Sequence, residues 1–77
     1  MDDVLRKLIA LAAKRFDKSS ELISTDDDMF ETLEIHSLQA LELLTDLEEA
    51  FGIEIPDYEL QDVKTLNALA ECIRDRL

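Results

Sequence analysis

Leu33-Glu34-Ile35-His36-Ser37-Leu38-Gln39-Ala40-Leu41-Glu42-Leu43-Leu44 decides how this 77-residue chain folds. A short polar break delivers a serine to the first turn of an apolar-periodic helix that runs on to Phe51 and stops at Gly52. A helix start leaves backbone N–H groups without partners and carries the positive end of the macrodipole. Ser37 therefore stands where a phosphate is well held. At about 100° per residue, Ala40, Leu43, Leu44, Leu47 and Phe51 fall on one side, which predicts the core face. Glu42, Asp46 and Glu49 fall opposite, Leu38 falls with them, and Leu41 and Glu48 lie on the flank.

Outward from this helix, the pattern predicts an all-α domain over residues 1–77, a small four-helix bundle with one short helix and one long crossover. Residues 2–16 form the first helix. Val4, Leu8, Leu11 and Arg15, interleaved with Leu5, Ile9, Ala12 and Phe16, give a broad stripe at 3–4 spacing. Asp2 and Asp3 suit its positive end, Lys14 and Arg15 its negative one. The 17–36 connection is too long to be structureless in a compact domain. Asp28 and Glu31 there resemble a capping box for a turn through Met29, Phe30 and Leu33. Ile53-Glu54-Ile55 is extended before Pro56, Asp57 caps a short helix over 57–62, and Thr65 caps a last one over 66–76.

A single Gly and a single Pro agree with helices. One Cys, Cys72, permits no disulfide framework and reads as packing. A core this small supplies only about 3–5 kcal/mol of net stability. Residues 1–16 mix charge with apolar positions, unlike a signal peptide, and no run approaches the roughly 20 apolar residues of a membrane span. A soluble, monomeric, cytoplasmic protein is expected. The net charge is −11, and residues 19–62 hold fourteen acids with no Lys or Arg. That disfavours nucleic acid and favours basic protein partners, unless the acid serves solubility alone. Leu38, facing outward beside Ser37, is either a local staple or a partner contact. With Leu41 inside a rim of Glu42, Glu48 and Glu49, it outlines a modest docking surface.

Enzyme chemistry finds little support. No G-x-S-x-G elbow surrounds Ser37, and His36, the only histidine, points elsewhere from an adjacent helix-start position. Asp26-Asp27-Asp28 lacks the Gly and Glu of a calcium loop and reads as a solvated acidic segment, so no metal site is expected. Serine before an apolar helix is also an ordinary N-cap.

The run from Leu33 to Pro56 closely resembles acyl carrier proteins. Ser37-Leu38, Glu42-Leu43, Leu47-Glu48-Glu49, Phe51 and Glu54-Ile55-Pro56 stand at that family's spacing, and the likeness extends over essentially the whole chain. The resemblance implies that Ser37 accepts 4′-phosphopantetheine from coenzyme A through a phosphopantetheinyl transferase, and that the arm's thiol carries acyl groups as thioesters to acyl-transfer and synthase enzymes. By the same likeness, Leu38, Gln39, Leu41, Glu42, Thr45, Glu48, Glu49 and Ile55 match partner-facing positions, to which the outward-face reading adds Asp46. Leu47, Val63 and Leu69 match the wall that shelters an acyl chain. Two positions depart: the family's usual Asp before the serine is His36, and its usual Gly two residues earlier is Glu34. Both point to a specialised carrier. An aminoacyl or polyketide carrier and a non-carrier acidic module are the alternatives.

Overall fold

The structure, a computed structural model, describes residues 3–77 apart from the side chains of Asp57 and Leu60. Among the described residues there are four α-helices: α1 (Asp3–Phe16), α2 (Met29–Thr32), α3 (Ser37–Phe51) and α4 (Leu66–Arg76). Two 3₁₀ segments, Ser20–Leu22 and Asp57–Gln61, lie between them, and no strand occurs among the described residues. The expected all-α bundle is what forms. The expected third helix is the 3₁₀ segment Asp57–Gln61, and the long crossover holds α2 as well as the first 3₁₀ turn. Asp2, expected to favour the start of α1, and the capping side chain of Asp57 lie outside the described residues.

The first helix packs against both α3 and α4. Its buried side chains Leu5, Leu8, Ile9 and Ala12 meet Ala40, Leu43, Leu44 and Leu47 of α3 and Leu66, Leu69, Ala70 and Ile73 of α4 in one apolar cluster. No polar or charged residue is buried among the described ones, so the core rests on apolar burial and packing. Phe51 sits at the edge of this cluster, half-buried, with the Lys7 ammonium 5.0 Å from its ring centroid.

The crossover is anchored from inside. Asp28 caps α2 by accepting the Phe30 N–H at 2.8 Å. Met29 and Leu33, both 1% exposed, plug α2 into the core. The Met29 N–H donates to the Lys64 carbonyl at 2.7 Å, and the Asn67 N–H to the Thr25 carbonyl at 3.1 Å, tying the crossover to the start of α4. Thr65 caps α4 by accepting the Ala68 N–H at 3.1 Å, as its sequence position predicts. Cys72 is half-buried against the core, and desolvation is the main cause that raises its thiol pKa above the usual value, which suits an unreactive packing residue.

Candidate functional site around Ser37

The start of α3 sets the site. Ile35, 8% exposed, is held in the core, and its N–H donates to the Phe30 carbonyl at 3.0 Å. The chain then turns outward. His36, not Ser37, takes the N-cap position with extended backbone (φ −113°, ψ 178°). Its carbonyl accepts the Ala40 N–H at 3.1 Å, and its N–H donates to Gln39 Oε1 at 3.1 Å. Ser37 is thus the first helical residue. Its side chain is exposed, and its hydroxyl has no hydrogen-bond partner among the described residues. The N-cap alternative for this serine fails, because His36 occupies the cap position and Ser37 lies one residue inside the helix. No acid occupies the first turn of α3, so the positive end of its dipole is uncompensated locally.

Ser37 opens onto a groove of about 630 Å³ whose lining includes Phe30, Ala40, Leu41, Val63 and Lys64. The apolar members come from α2, α3 and the segment before α4, which the backbone ties described above hold together. Lys64 is the only Lys or Arg between residues 19 and 73, and it stands in this groove. An exposed hydroxyl at a dipole-positive tip, beside a groove of mixed lining, fits a phosphate-linked flexible arm. Of the three side chains expected to wall an acyl chain, Val63 borders the groove. Leu47 and Leu69, 0% and 2% exposed, pack within the core instead.

The outward side of α3 carries the residues expected to meet partners. Leu38 is 63% exposed and Leu41 36%, with Glu42, Thr45 and Glu49 exposed around them. Three other expected contacts are engaged within the chain. Gln39 accepts the His36 N–H, and Glu48, half-buried, accepts the Ile55 N–H at 2.9 Å. Asp46 is paired with Arg15 of α1 through Nη2 at 2.8 Å and through Nε, while Arg15 Nη1 reaches Glu42 at 3.1 Å. The hydrogen bond from Arg15 is the leading reason that the Asp46 carboxyl lies below its usual pKa. Ile55 leaves the docking set altogether. At 3% exposed it is a core residue, pointing inward from an extended segment in which Glu54 points out.

Glu34 takes a left-handed backbone conformation (φ 57°), which explains why glycine suits that position. Its carboxylate binds Lys18 Nζ at 2.5 Å, and this hydrogen bond is the main cause that lowers its pKa. Asp26 accepts from the Asn67 amide and Asp28 is a cap, so two members of the triple Asp serve the fold. Among the described residues, no group of three or more His, Cys, Asp or Glu is placed to hold a metal ion, and no helix is long and apolar enough to cross a membrane.

The Arg15 clamp, the Phe30 wall and Lys64 escape the sequence reading. A signal for the first was present: Arg15 occupies the 3–4 stripe of α1 otherwise filled by Val4, Leu8 and Leu11, and a cation in an inward stripe needs an acid across from it.

Comparison with known proteins agrees with this geometry. Residues 4–73 match the family model described as "Phosphopantetheine attachment site". The chain is 33% identical over 75 residues to the acyl carrier protein of Rickettsia canadensis (strain McKiel), covering 97% of this chain and 87% of that protein. The acyl carrier proteins of Rickettsia typhi (strain Wilmington) and Rickettsia prowazekii (strain Madrid E) are similar to the same extent.

Proposed function

This chain belongs to the acyl carrier protein family, and from that premise we propose that Ser37 bears the prosthetic arm and that the outward side of α3 presents its cargo to acyl-handling enzymes. Members of this family are carriers, not enzymes, and their prosthetic group is 4′-phosphopantetheine. When bound, that group supplies a terminal thiol on which an acyl unit travels as a thioester. The rest is the work of the chain's own residues.

The single observation that carries the assignment is the hydroxyl of Ser37: exposed, uncommitted, and at the helix tip because His36 takes the cap. The uncompensated N–H groups of the first turn favour the phosphodiester charge that attachment would bring. Phe30, Ala40, Leu41 and Val63 offer apolar surface on which an arm or its cargo can lie. The exposed leucines Leu38 and Leu41 next to Glu42 and Glu49 give partners an apolar contact with a charged rim. Acid on the carrier speeds encounter with basic patches, while weak, salt-sensitive contact lets it leave after each transfer.

His36 and Glu34 alter the surface that a transferase or synthase reads beside Ser37, which supports a carrier dedicated to a particular product over one serving general fatty acid synthesis. Intact-protein mass spectrometry after incubation with coenzyme A and a broad-specificity phosphopantetheinyl transferase tests the attachment. The wild-type chain gains one phosphopantetheinyl increment, and Ser37→Ala gains none while keeping its helical circular dichroism. A folded wild-type chain that resists loading, or an increment that persists in Ser37→Ala, overturns the assignment.

A further inference from the structure

The carboxylates along the outward side of α3 are not equally available. Arg15, on the last turn of α1, reaches across to α3 with a fork of three contacts. Its Nη2 donates to Asp46 Oδ1 at 2.8 Å, and its Nε binds Oδ2 of the same carboxylate, so both Asp46 oxygens are taken. Its Nη1 donates to Glu42 Oε2 at 3.1 Å, leaving the other Glu42 oxygen without a partner among the described residues. Such a bidentate guanidinium–carboxylate pair is the strong, geometrically selective kind. Glu49, one turn beyond Asp46, is exposed and has no ion pair among the described residues. It borders, with Lys14 and Arg15, the groove of about 570 Å³ between α1 and α3.

We infer that Arg15 is an internal competitor for basic partners: it withholds Asp46 from the docking surface and leaves Glu42 and Glu49 as the acids that a partner reads. The choice of partner rests on the carrier reading above. Glu42 and Glu49 are seven residues apart, two helical turns, so they project on one side of α3 about 10 Å from each other. A partner whose cations are set at that spacing binds without disturbing the fork. A partner that needs the intervening turn must displace Arg15 from two carboxylates at once, so Arg15 is a specificity-determining residue for docking. Its guanidinium presents to Asp46 the chemistry that a partner arginine would present, so the surface is selective through occupancy instead of shape.

The test measures the dissociation constant, at low salt and without coenzyme A, between the full chain and a broad-specificity phosphopantetheinyl transferase. Arg15→Gln uncovers Asp46 and tightens binding about two- to fivefold, the range expected for gain of one exposed ion pair. Arg6→Gln changes net charge equally from the exposed groove that α1 forms with Ser20 and Glu21, and it leaves the constant unchanged. Arg15→Gln combined with Asp46→Asn returns it to the wild-type value. Equal tightening by Arg15→Gln and Arg6→Gln would trace the effect to total charge and overturn the inference. So would unchanged or weakened binding in Arg15→Gln, or no binding by any form. Circular dichroism checks each variant. Should Arg15→Gln fail to fold, Arg15→Lys, which keeps the charge but loses the fork, gives an intermediate constant, and a wild-type value overturns the proposal. Adding coenzyme A to the same samples and weighing the products separates the two readings. A shifted constant without loading sinks the arm on Ser37 and keeps the competitor, and loading without a shift does the opposite.

Discussion

Glu34 is where one residue's backbone decides the most about this site. It and Gly52 share the left-handed region, at φ 57° and 67°, but only one of them is a glycine. For an L-residue with a Cβ that conformation costs about 1–2 kcal/mol. The Lys18–Glu34 pair offsets part of it, yet Glu34 is 74% exposed on its side chain, and a pair so exposed to solvent adds little net stability. Strain therefore wins. Glu34→Gly should raise the melting temperature by about 2–4 °C, the shift that roughly 0.5 kcal/mol produces in a domain of this size. Thermal unfolding followed by circular dichroism checks this, and a lowered melting temperature would mean that the Lys18 pair outweighs the strain. The Glu34 carboxylate turns to Lys18, and Glu34 does not line the groove beside Ser37. Glycine's usual place here was legible in the resemblance. Its cause, the sign of one dihedral angle, becomes visible only with the backbone.

At the scale of the element, α3 must anchor the core with one side and stay available with the other, and mutation can separate the two. Leu43 is fully buried, so Leu43→Ala removes its contacts and leaves a cavity costing about 2.7–5 kcal/mol. A domain of this size has about 3–5 kcal/mol to lose, so the variant should be largely unfolded at room temperature. Leu38, 63% exposed, should lose less than about 0.5 kcal/mol as Leu38→Ala while its docking weakens. Urea denaturation of both variants measures the contrast, and comparable losses would refute the division of faces. That division was legible because burial of an amphipathic helix follows its 3.6-residue period. The bounds of α3 and α4 were legible for the same reason, with Gly52 and Thr65 marking an end and a start. The 17–36 crossover was legible only in part: Asp28 caps α2 as its position predicts, but the rest of the segment carries no such local signal. Its short elements are fixed by distant groups, Met29 by the Lys64 carbonyl and Thr25 by Asn67, and such ties leave no local pattern. The burial of Ile55 was not legible either: it sits in an extended segment without helical period, whose N–H is accepted by Glu48, seven residues earlier.

Charge acts on the whole molecule at once. A net charge of −11 is confined to a body with a radius of gyration of 11.0 Å. At 0.1 M salt the Debye length is about 10 Å, shorter than the 20–27 Å extents of the fold, so each acid chiefly feels its neighbours along the same face. The cations of α1 relieve this on one side only, through Arg15 on Asp46 and Glu42, and Lys18 sits against Glu34 beyond its end. Asp26, Asp27, Glu31, Glu49 and Glu54 remain exposed elsewhere. Self-repulsion of this kind destabilises the compact state, because unfolding moves the charges apart. Monovalent salt weakens it by screening alone. A divalent cation also concentrates where carboxylates crowd, and they crowd more in the folded chain than in the unfolded one, so linkage favours folding. Millimolar Mg²⁺ or Ca²⁺ should therefore raise the melting temperature by several degrees more than NaCl at the same ionic strength. No chelating cluster is required, and none of three or more groups exists among the described residues, so the two ions should act alike and without sharp saturation. Melting curves at matched ionic strength decide the point: coincident midpoints in NaCl and MgCl₂ would show that screening accounts for the whole effect, and a tight, saturable response to one ion alone would demand a specific site.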